Sequence, residues 1–266
     1  MSELVKITIE NHVADVRLNR PDKYNALNPA MFQAIIEAGQ ALAQDTRVRA
    51  VVLSGEGRGF CAGLDFQGFV EMGQSGGLSL MDNQPGQIAN NAQLPGMVWK
   101  QVPVPVIAAL HGVAFGGGLQ IALGADIRLA APDTRLSVME IKWGIIPDMS
   151  ATQTLRDLVR LDVAKELTFS GRIVEAVEAA QLGLITRISD DPLAEAHQMA
   201  ELYAAKNPNA IAAAKRLFET AWHADAAEGL QLEASLQRSL MGTANQIEAA
   251  TANFEKRAPR FADREG

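Results

Sequence analysis

The chain has 266 residues, of which 48% are hydrophobic and 21% are charged, and it carries a net charge of −7. This balance is typical of a globular protein with a substantial core, and the acidic excess argues against nucleic-acid binding, which usually needs a basic surface. Cys61 is the single cysteine, which excludes an intrachain disulfide and a zinc site built from several thiolates. No apolar run approaches the length of a membrane span, and the N-terminal residues resemble a strand rather than a signal peptide, so we expect a cytoplasmic protein with no membrane partner.

The first part of the chain predicts strands and helices in alternation. Two short segments with alternating apolar residues, 5–10 and 13–18, predict a β-hairpin. Asn28 followed by Pro29 predicts the N-cap and the first turn of a helix. The other predicted elements are buried strands at 50–54 and 106–110, a glycine-rich loop at 55–63, a mobile segment at 73–96 and a helix at 97–101.

A glycine-rich stretch, HGVAFGGGLQ at 111–120, follows the second of these strands. The pattern predicts a strand, a tight turn and a helix. Gly116, Gly117 and Gly118 lie where the helix begins, so their N–H groups lack partners within the helix and no Cβ atom shields them. Such a helix start favours a phosphate, or an oxygen that becomes anionic during a reaction, although tight packing alone would also require glycines.

Helical patterns dominate after residue 150. The tail from Pro192 follows without a linker, so we expect it to pack on the core or on a neighbouring subunit. We therefore divide the chain into a core, residues 1–191, and a C-terminal helical region, residues 192–266. Short strands are predicted at 127–131, 136–138 and 184–188, and helices at 151–159, 164–169, 174–182, 193–206, 210–224 and 228–257, the last with a break near Gly242.

Five segments carry motifs in order along nearly the whole chain: LNRPDKYNAL (18–27), GFCAGLD (59–65), HGVAFGGGLQIALGADIRLA (111–130), MEIKWGIIPD (139–148) and FEKRAPRF (254–261). Together they resemble the crotonase family, also called the enoyl-CoA hydratases/isomerases. The resemblance implies an α/β fold with a ClpP-like spiral core of ββα turns and a C-terminal helical region that forms homotrimers or dimers of trimers. It also implies acyl-CoA thioester substrates, no metal, and no cofactor apart from the coenzyme A of the substrate.

The resemblance also implies an oxyanion hole. Family reactions polarise a thioester carbonyl and stabilise an enolate-like oxygen with two backbone N–H groups. In this sequence the matching groups belong to Leu64 and Gly117. A donor of this kind typically contributes about 3 kcal/mol of transition-state stabilisation, and Leu64 would act through its amide rather than its side chain.

Three polar side chains distinguish this chain within the family. Glu140 matches the second of two glutamates with which similar hydratases activate water, and we expect it to act near the α-carbon. Gln120 falls on the first glutamate, and an amide cannot act as a general base, so it would orient a water or the thioester, or satisfy buried backbone groups. Asp148 matches the remote acid of dienoyl-CoA isomerases, although it could instead cap a helix that starts near Ser150. Those isomerases usually carry an aspartate where this chain has Gln120, so the match is incomplete.

Coenzyme A needs cationic or polar contacts despite the acidic whole. The resemblance places Lys23 and Tyr24 near the body of coenzyme A, and Lys256 near it from a neighbouring subunit. Lys256, Arg257 and Arg260 form a local basic cluster, which could equally be an ordinary solvated helix face. The full set of predicted coenzyme A and substrate contacts is Lys23, Tyr24, Ala62, Asp65, Phe66, Gly116, Gly118, Trp143 and Lys256.

Several other side chains have two interpretations. Trp143 could line the acyl pocket or pack in the core. Phe69 and Met72 could line an acyl tunnel, although core packing is the safer interpretation. We expect His111 to make a structural hydrogen bond and Cys61 to be a small buried filler.

These patterns favour an acyl-CoA isomerase in which Glu140 and Asp148 move a proton while Leu64 and Gly117 hold the enolate oxygen. The first alternative is an enoyl-CoA hydratase in which Glu140 works with an unusual partner. Other crotonase reactions, such as dehalogenation or decarboxylation, stay open because a fold does not fix a reaction. A non-catalytic acyl-CoA-binding relative is the alternative from a different class.

Overall fold

A computed structural model of the protein describes residues 3–67, 80–83 and 86–264. The strands, in chain order, are β1 (Val5–Glu10), β2 (Val13–Leu18), β3 (Ala50–Gly55), β4 (Val106–Leu110), β5 (Val113–Phe115), β6 (Ile127–Ala130), β7 (Arg135–Ser137), β8 (Val174–Glu175) and β9 (Arg187–Ile188). The helices are α1 (Pro29–Gln44), α2 (Leu94–Gln101), α3 (Gly117–Leu123), α4 (Ala151–Leu158), α5 (Leu161–Ser170), α6 (Ala176–Leu182), α7 (Pro192–Ala204), α8 (Pro208–Ala221), α9 (Ala226–Leu240) and α10 (Ala244–Phe254). Short 3-10 helices add Pro21–Lys23 and Glu140–Trp143.

Two sheets form the core, and together with the helices that cover them they form the predicted α/β fold. The larger sheet has the strand order β1-β2-β3-β4-β6-β9, and the smaller has the order β5-β7-β8. In the larger sheet every pairing except the β1–β2 hairpin is parallel. The predicted hairpin is confirmed, and its two turn residues, Asn11 and His12, have the positive φ angles of 48° and 67° that a tight hairpin turn requires.

The central strands of the larger sheet are buried on both faces. All five residues of β4 and the first five of β3 are buried, as expected for parallel strands that helices cover on each side. On one face α1 packs its apolar stripe, which includes Met31 and Ile35. The Asn28 side chain accepts a hydrogen bond from the Met31 amide and Pro29 occupies the first turn, so the predicted helix start is confirmed.

The opposite face is covered by the first helix of the C-terminal region. Ala196, Ala200 and Ala204 of α7 are buried against β3, β4 and β6. These small side chains allow the helix to lie close to the sheet. The tail therefore packs on the core of its own chain at this point, and the division at residue 191 stays a prediction, as do the trimer and the dimer of trimers.

Three predicted elements need correction. Residues 111–120 contain a further strand, β5, between β4 and α3, because this segment pairs with β7 in the second sheet. The helix predicted at 174–182 begins at Ala176, since Val174 and Glu175 form β8 and pair with β7. The helix predicted at 97–101 begins earlier, at Leu94, so residues 94–96 of the segment predicted to be mobile are helical.

Residues 73–79, 84 and 85 of that segment lie outside the described residues, and so do Phe69 and Met72. The long helix predicted at 228–257 is divided into α9 and α10, with Gly242 at a φ of 79° between them. Among the described residues, no helix is both long enough and apolar enough to span a membrane.

Candidate active site

The loop after β3, the junction of β5 and α3, and residues 139–151 meet at the edge of the core. The loop after β3 joins β5 through a bridge between Cys61 and Ala114. The Cys61 amide donates to the Val113 carbonyl and the Phe115 amide donates to the Cys61 carbonyl, both at 3.0 Å. This short ladder fixes the first loop against the start of α3.

The Leu64 amide is directed toward α3 by its neighbours. The Leu27 amide donates to the Gly63 carbonyl at 2.8 Å, and the Asp65 amide donates to the Leu27 carbonyl at 2.9 Å. Because amides alternate in direction along an extended chain, the Leu64 N–H points away from Leu27. A Cβ at Gly63 would lie 2.6 Å from the Phe115 carbonyl oxygen and 3.6 Å from the Gly117 nitrogen, so the two loops approach each other at this point.

The three consecutive glycines have different surroundings. Gly117 is the first residue of α3, so its amide has no acceptor within the helix. A Cβ at Gly118 would lie 2.4 Å from the Cys61 carbonyl oxygen, and one at Gly116 would lie 3.3 Å from Oε1 of Glu140. Close packing thus accounts for Gly118, Gly116 faces Glu140, and Gly117 packs against Met149 and Leu27.

Glu140 is a buried carboxylate with one unoccupied oxygen. Its residue is 6% exposed, and Gln120 Nε2 donates to its Oε1 at 2.6 Å. Its Oε2 has no hydrogen-bond partner among the residues that the structure describes. Burial raises the pKa of Glu140, hydrogen bonds from its own backbone amide and from Gln120 lower it, and the nearby charge of Asp148 raises it further. An oxygen in this state is ready to accept a proton.

Gln120 links Glu140 to the start of α4. Its Oε1 accepts hydrogen bonds from the Met149 amide at 2.8 Å and from the Ala151 amide at 3.0 Å. The residue is 1% exposed. Of the two predicted roles for Gln120, the structure shows the satisfaction of buried backbone groups.

Asp148 does not cap α4. The N-cap of α4 is Ser150, which has a φ of 76° and makes no side-chain capping bond, and the free amide at the helix start is taken by Gln120 instead. The capping interpretation of Asp148 is therefore wrong. Asp148 is half-buried, and this burial raises the pKa of its carboxyl, so it can hold a proton at a higher pH than an exposed aspartate.

An aromatic pair lies beside these groups. The rings of Phe66 and Trp143 are 4.1 Å apart between centroids and inclined at 37°. Phe66 follows the first loop and Trp143 ends the 3-10 helix that begins at Glu140, so the pair spans two parts of the site. Trp143 is 52% exposed, which excludes the interpretation that it packs in the core.

The predicted coenzyme A contacts of the N-terminal loop lie next to the first glycine-rich loop. The Tyr24 carbonyl accepts from the Ala62 amide at 2.9 Å, and the Arg58 guanidinium lies 4.5 Å from the centre of the Tyr24 ring. Lys23 is exposed. Asp65 forms an ion pair with Arg20 at 2.7 Å, an interaction that fixes the loop.

Asn25 is a structural residue of the site that the sequence analysis missed. It is fully buried. Its Nδ2 donates at 3.0 Å to the carbonyls of Glu56, Gly59 and Phe60, and its Oδ1 accepts from the Arg20 amide at 2.7 Å. Asn25 thereby joins the N-terminal loop to the glycine-rich loop. An asparagine within the LNRPDKYNAL motif was the available signal, but the three carbonyls to which it donates lie more than thirty positions away in sequence.

The basic cluster near the C-terminus is partly neutralised. Arg257 donates to Glu248 and to Glu255, each at 2.6 Å. The Arg260 amide also donates to Glu248, whereas Lys256 is exposed and lies just beyond α10. Acidic residues nearby in the fold thus pair with the Arg257 side chain, and the role of the basic cluster near coenzyme A stays a prediction.

His111 and Cys61 have the structural surroundings that the sequence predicts. His111 Nε2 lies 3.0 Å from the Gly57 carbonyl oxygen. The Cys61 thiol is buried, donates to the Asn25 carbonyl at 3.1 Å, and has its pKa raised to about 12 by that burial. A thiol that stays protonated in this way is a poor nucleophile.

The comparisons with known proteins agree with this geometry. The model of the enoyl-CoA hydratase/isomerase family matches residues 8–264. A Mycobacterium bovis protein, provisionally named an enoyl-CoA hydratase, is 31% identical over 98% of this chain and 99% of its own length. The mitochondrial methylglutaconyl-CoA hydratase of Mus musculus is 32% identical over 92% of this chain and 77% of its own length. The crystal structure of an enoyl-CoA hydratase from Bacillus anthracis is similar with a TM-score of 0.85, at 29% identity over 97% of this chain and 98% of that chain.

The fold and the site thus define a crotonase-type α/β protein. The chain belongs to the enoyl-CoA hydratase/isomerase family.

Proposed function

We propose that the protein is an acyl-CoA isomerase that shifts the double bonds of a dienoyl-CoA thioester. The observation that carries the proposal is the buried Glu140 carboxylate, whose Oε2 has no partner among the described residues and whose pKa is raised by burial, together with the half-buried Asp148. Two carboxyl groups near one site, both with raised pKa values, suit a reaction that removes a proton at one carbon and returns one at another.

In this mechanism the thioester oxygen accepts hydrogen bonds from the Leu64 and Gly117 amides. Two observations support this role: the neighbours of Leu64 turn its N–H away from Leu27, and the Gly117 amide has no acceptor within α3. Negative charge grows on that oxygen as the enolate forms, and each fixed amide contributes roughly 3 kcal/mol to its stabilisation.

Glu140 Oε2 removes a proton from C2 of a 3,5-dienoyl-CoA. The electron pair of that C–H bond moves into the conjugated system and onto the thioester oxygen. Asp148, in its protonated form, then donates a proton to C6, and the electrons return to form the 2,4-diene. One proton leaves the substrate and one enters it, and solvent exchange restores both carboxyl groups to their starting states.

Hydration of a 2-enoyl-CoA is the second candidate, since the names of several relatives specify hydratases. Water addition in similar hydratases uses two glutamates, and here Gln120 stands in place of one. Both sides of the Gln120 carboxamide are already bonded, to Glu140 and to two backbone amides. It therefore has no basic atom with which to activate a water.

Substrate binding by the N-terminal loop fits the same proposal. Lys23 is exposed beside Tyr24, which contacts the first loop through Ala62, so this loop would hold the body of coenzyme A. Lys256 would complete the site from a neighbouring subunit of a trimer. The Phe66–Trp143 pair would border the acyl chain.

The test is an absorbance assay with a 3,5-dienoyl-CoA and a 2-enoyl-CoA in parallel. We expect conversion of the first to its 2,4-conjugated isomer, with at least about a hundredfold lower kcat/KM for hydration of the second, because one general base is missing. Faster hydration of the 2-enoyl-CoA would reject the isomerase in favour of a hydratase.

A further inference from the structure

The side chain of Gln120 makes three hydrogen bonds that connect different parts of the site. Its Nε2 donates to Oε1 of Glu140 at 2.6 Å, and its Oε1 accepts from the Met149 and Ala151 amides at 2.8 and 3.0 Å. The side chain is buried on α3, three residues after Gly117. One carboxamide thus joins α3, which begins at Gly117, to Glu140 and to the segment that carries Asp148.

The two ends of this carboxamide cannot be exchanged. The amides of Met149 and Ala151 are donors, so they require an acceptor, and the oxygen of Gln120 must face them. The nitrogen must then face Glu140, where it donates to Oε1 and leaves Oε2 without a partner among the described residues. The backbone of the helix start therefore fixes the orientation of the carboxamide that holds Glu140.

A carboxylate at position 120 would change the charge state of the pair. Its first oxygen could still accept from the two amides, but its second would lie about as close to Glu140 Oε1 as the present nitrogen. Two carboxylates in contact cannot both be ionised at moderate cost, so they would share a proton. A glutamine keeps the geometry and removes this conflict.

We propose that Gln120 is a positioning residue that holds Glu140 as a single ionised base with Oε2 directed to the substrate. This inference rests on the proposed function for the identity of the base. It goes beyond that function by assigning the protonation state of Glu140 to an amide that never contacts the reacting atoms.

The same contacts tie the base to the oxyanion hole. The Met149 amide is held by Gln120, and the Met149 side chain packs against Gly117, where a Cβ would lie 2.4 Å from its sulfur. A change at Gln120 would therefore move Glu140 and Gly117 together.

Asp148 is the charged neighbour that influences Glu140 within the part of the chain that the structure describes, and its charge raises the pKa of Glu140. The helix α3 carries no charged residue, and Lys142 of the 3-10 helix is exposed. The helix α5 packs against this 3-10 helix and has both acidic and basic residues. Three charged residues at the start and middle of this helix are exposed to solvent: Asp162, Lys165 and Glu166. Burial, the hydrogen bonds from the backbone amide of Glu140 and from Gln120, and the charge of Asp148 therefore set the titration of Glu140.

The test is the variant Gln120→Glu, followed by carbon-13 NMR of protein labelled at the glutamate carboxyl carbons. The Glu140 resonance is assigned by its loss in Glu140→Gln. We expect the apparent pKa of Glu140 to rise by about one pH unit or more, because two adjacent carboxyl groups share a proton. An unchanged titration of Glu140 would overturn the proposal.

A matched control is available on the surface. Gln33 donates through Nε2 to Oε1 of Glu37 at 2.8 Å, and both residues are exposed. The variant Gln33→Glu makes the same chemical change outside the site and should leave the titration of Glu140 unchanged.

A second variant keeps the test valid if Gln120→Glu folds poorly. Gln120→Met has a similar volume and removes all three hydrogen bonds. We expect kcat to fall about tenfold or more with KM changed less than about threefold, since the base is misdirected while the binding loops remain. Unchanged kcat would contradict the positioning role.

The outcomes also separate this inference from the proposed function. Suppose that Gln120→Glu shifts the titration of Glu140 but the wild-type protein does not isomerise the dienoyl-CoA. Gln120 then positions a base for a different reaction. If the isomerisation occurs but the titration does not shift, the proposed function stands and the role of Gln120 is rejected.

Discussion

At the residue scale, the site depends on a carboxylate that the fold destabilises. Glu140 is buried beside Asp148 with only one hydrogen bond from a described side chain, and its pKa is raised as a result. The sequence predicted Glu140, Gln120 and Asp148 as a set because each stands in a recognisable motif. It could not predict that the carboxamide of Gln120 binds the free amide at the start of α4, which was the alternative role of Asp148, since that depends on contacts between segments far apart in sequence.

The variant Glu140→Gln should lose activity and gain stability at neutral pH. The raised pKa means that the folded state binds the proton of Glu140 more tightly than the unfolded state, so ionisation above that pKa disfavours folding. We expect a fall in kcat of about 10²–10⁴-fold, as is typical when a general base is removed.

Urea unfolding at several pH values measures the predicted gain in the stability of Glu140→Gln. The gain in the free energy of unfolding should be present at pH 7 and should vanish as the pH falls below the ordinary glutamate value, where Glu140 is protonated in both states. A variant that is less stable than the wild type at pH 7 would show that ionised Glu140 is not under strain in the fold.

At the scale of elements, local sequence patterns predicted the helices and strands that have a periodicity or a capping signal of their own. The β1–β2 hairpin, the capped start of α1 and the buried strands β3 and β4 each have a clear periodicity or capping signal, and each was confirmed. The strands β5 and β8 were missed because they have three and two residues and exist through pairing with β7. So short a segment has no period of its own.

Gly118→Ala should destabilise the junction of the first loop and α3. The added methyl group would lie 2.4 Å from the Cys61 carbonyl oxygen, which belongs to the backbone and cannot turn aside. We expect a loss of about 1–3 kcal/mol in the free energy of unfolding, measured by chemical denaturation.

A matched helical glycine gives the control for this change. Gly229 of α9 has its nearest outside neighbour at 3.6 Å, an ordinary contact, so Gly229→Ala should be neutral or stabilising by up to about 1 kcal/mol. Equal effects of the two variants would contradict the close approach at Gly118.

At the scale of the whole molecule, the C-terminal tail returns to the N-terminal half. Arg49 donates to the carbonyls of Ala204 and Phe261 and to Asp263. Arg264 donates to the carbonyls of Ala43 and Asp45. These contacts fix the segment that follows Lys256, and no sequence pattern indicated them because they connect positions about two hundred residues apart.

Arg49→Met should show the contribution of this connection. The Arg49 side chain is 8% exposed, so its removal leaves buried carbonyl groups without donors, and we expect a loss of about 1–3 kcal/mol in the free energy of unfolding. Arg47→Met is the control, because Arg47 is 71% exposed and pairs with Asp45 at the surface, where such pairs contribute about 1 kcal/mol or less. Thermal unfolding that is equally affected in both variants would refute a special role for Arg49.

The variant Asp148→Asn tests whether Glu140 removes a proton and Asp148 returns one. In deuterated water with a 3,5-dienoyl-CoA, this variant should still exchange the C2 hydrogens, because Glu140 and the two amides remain. Isomerisation to the 2,4-diene should fall by about 10²–10⁴-fold, because the acid that protonates C6 is gone, while acyl-CoA binding stays nearly intact. Isomerisation at the wild-type rate in Asp148→Asn would show that Asp148 does not return the proton.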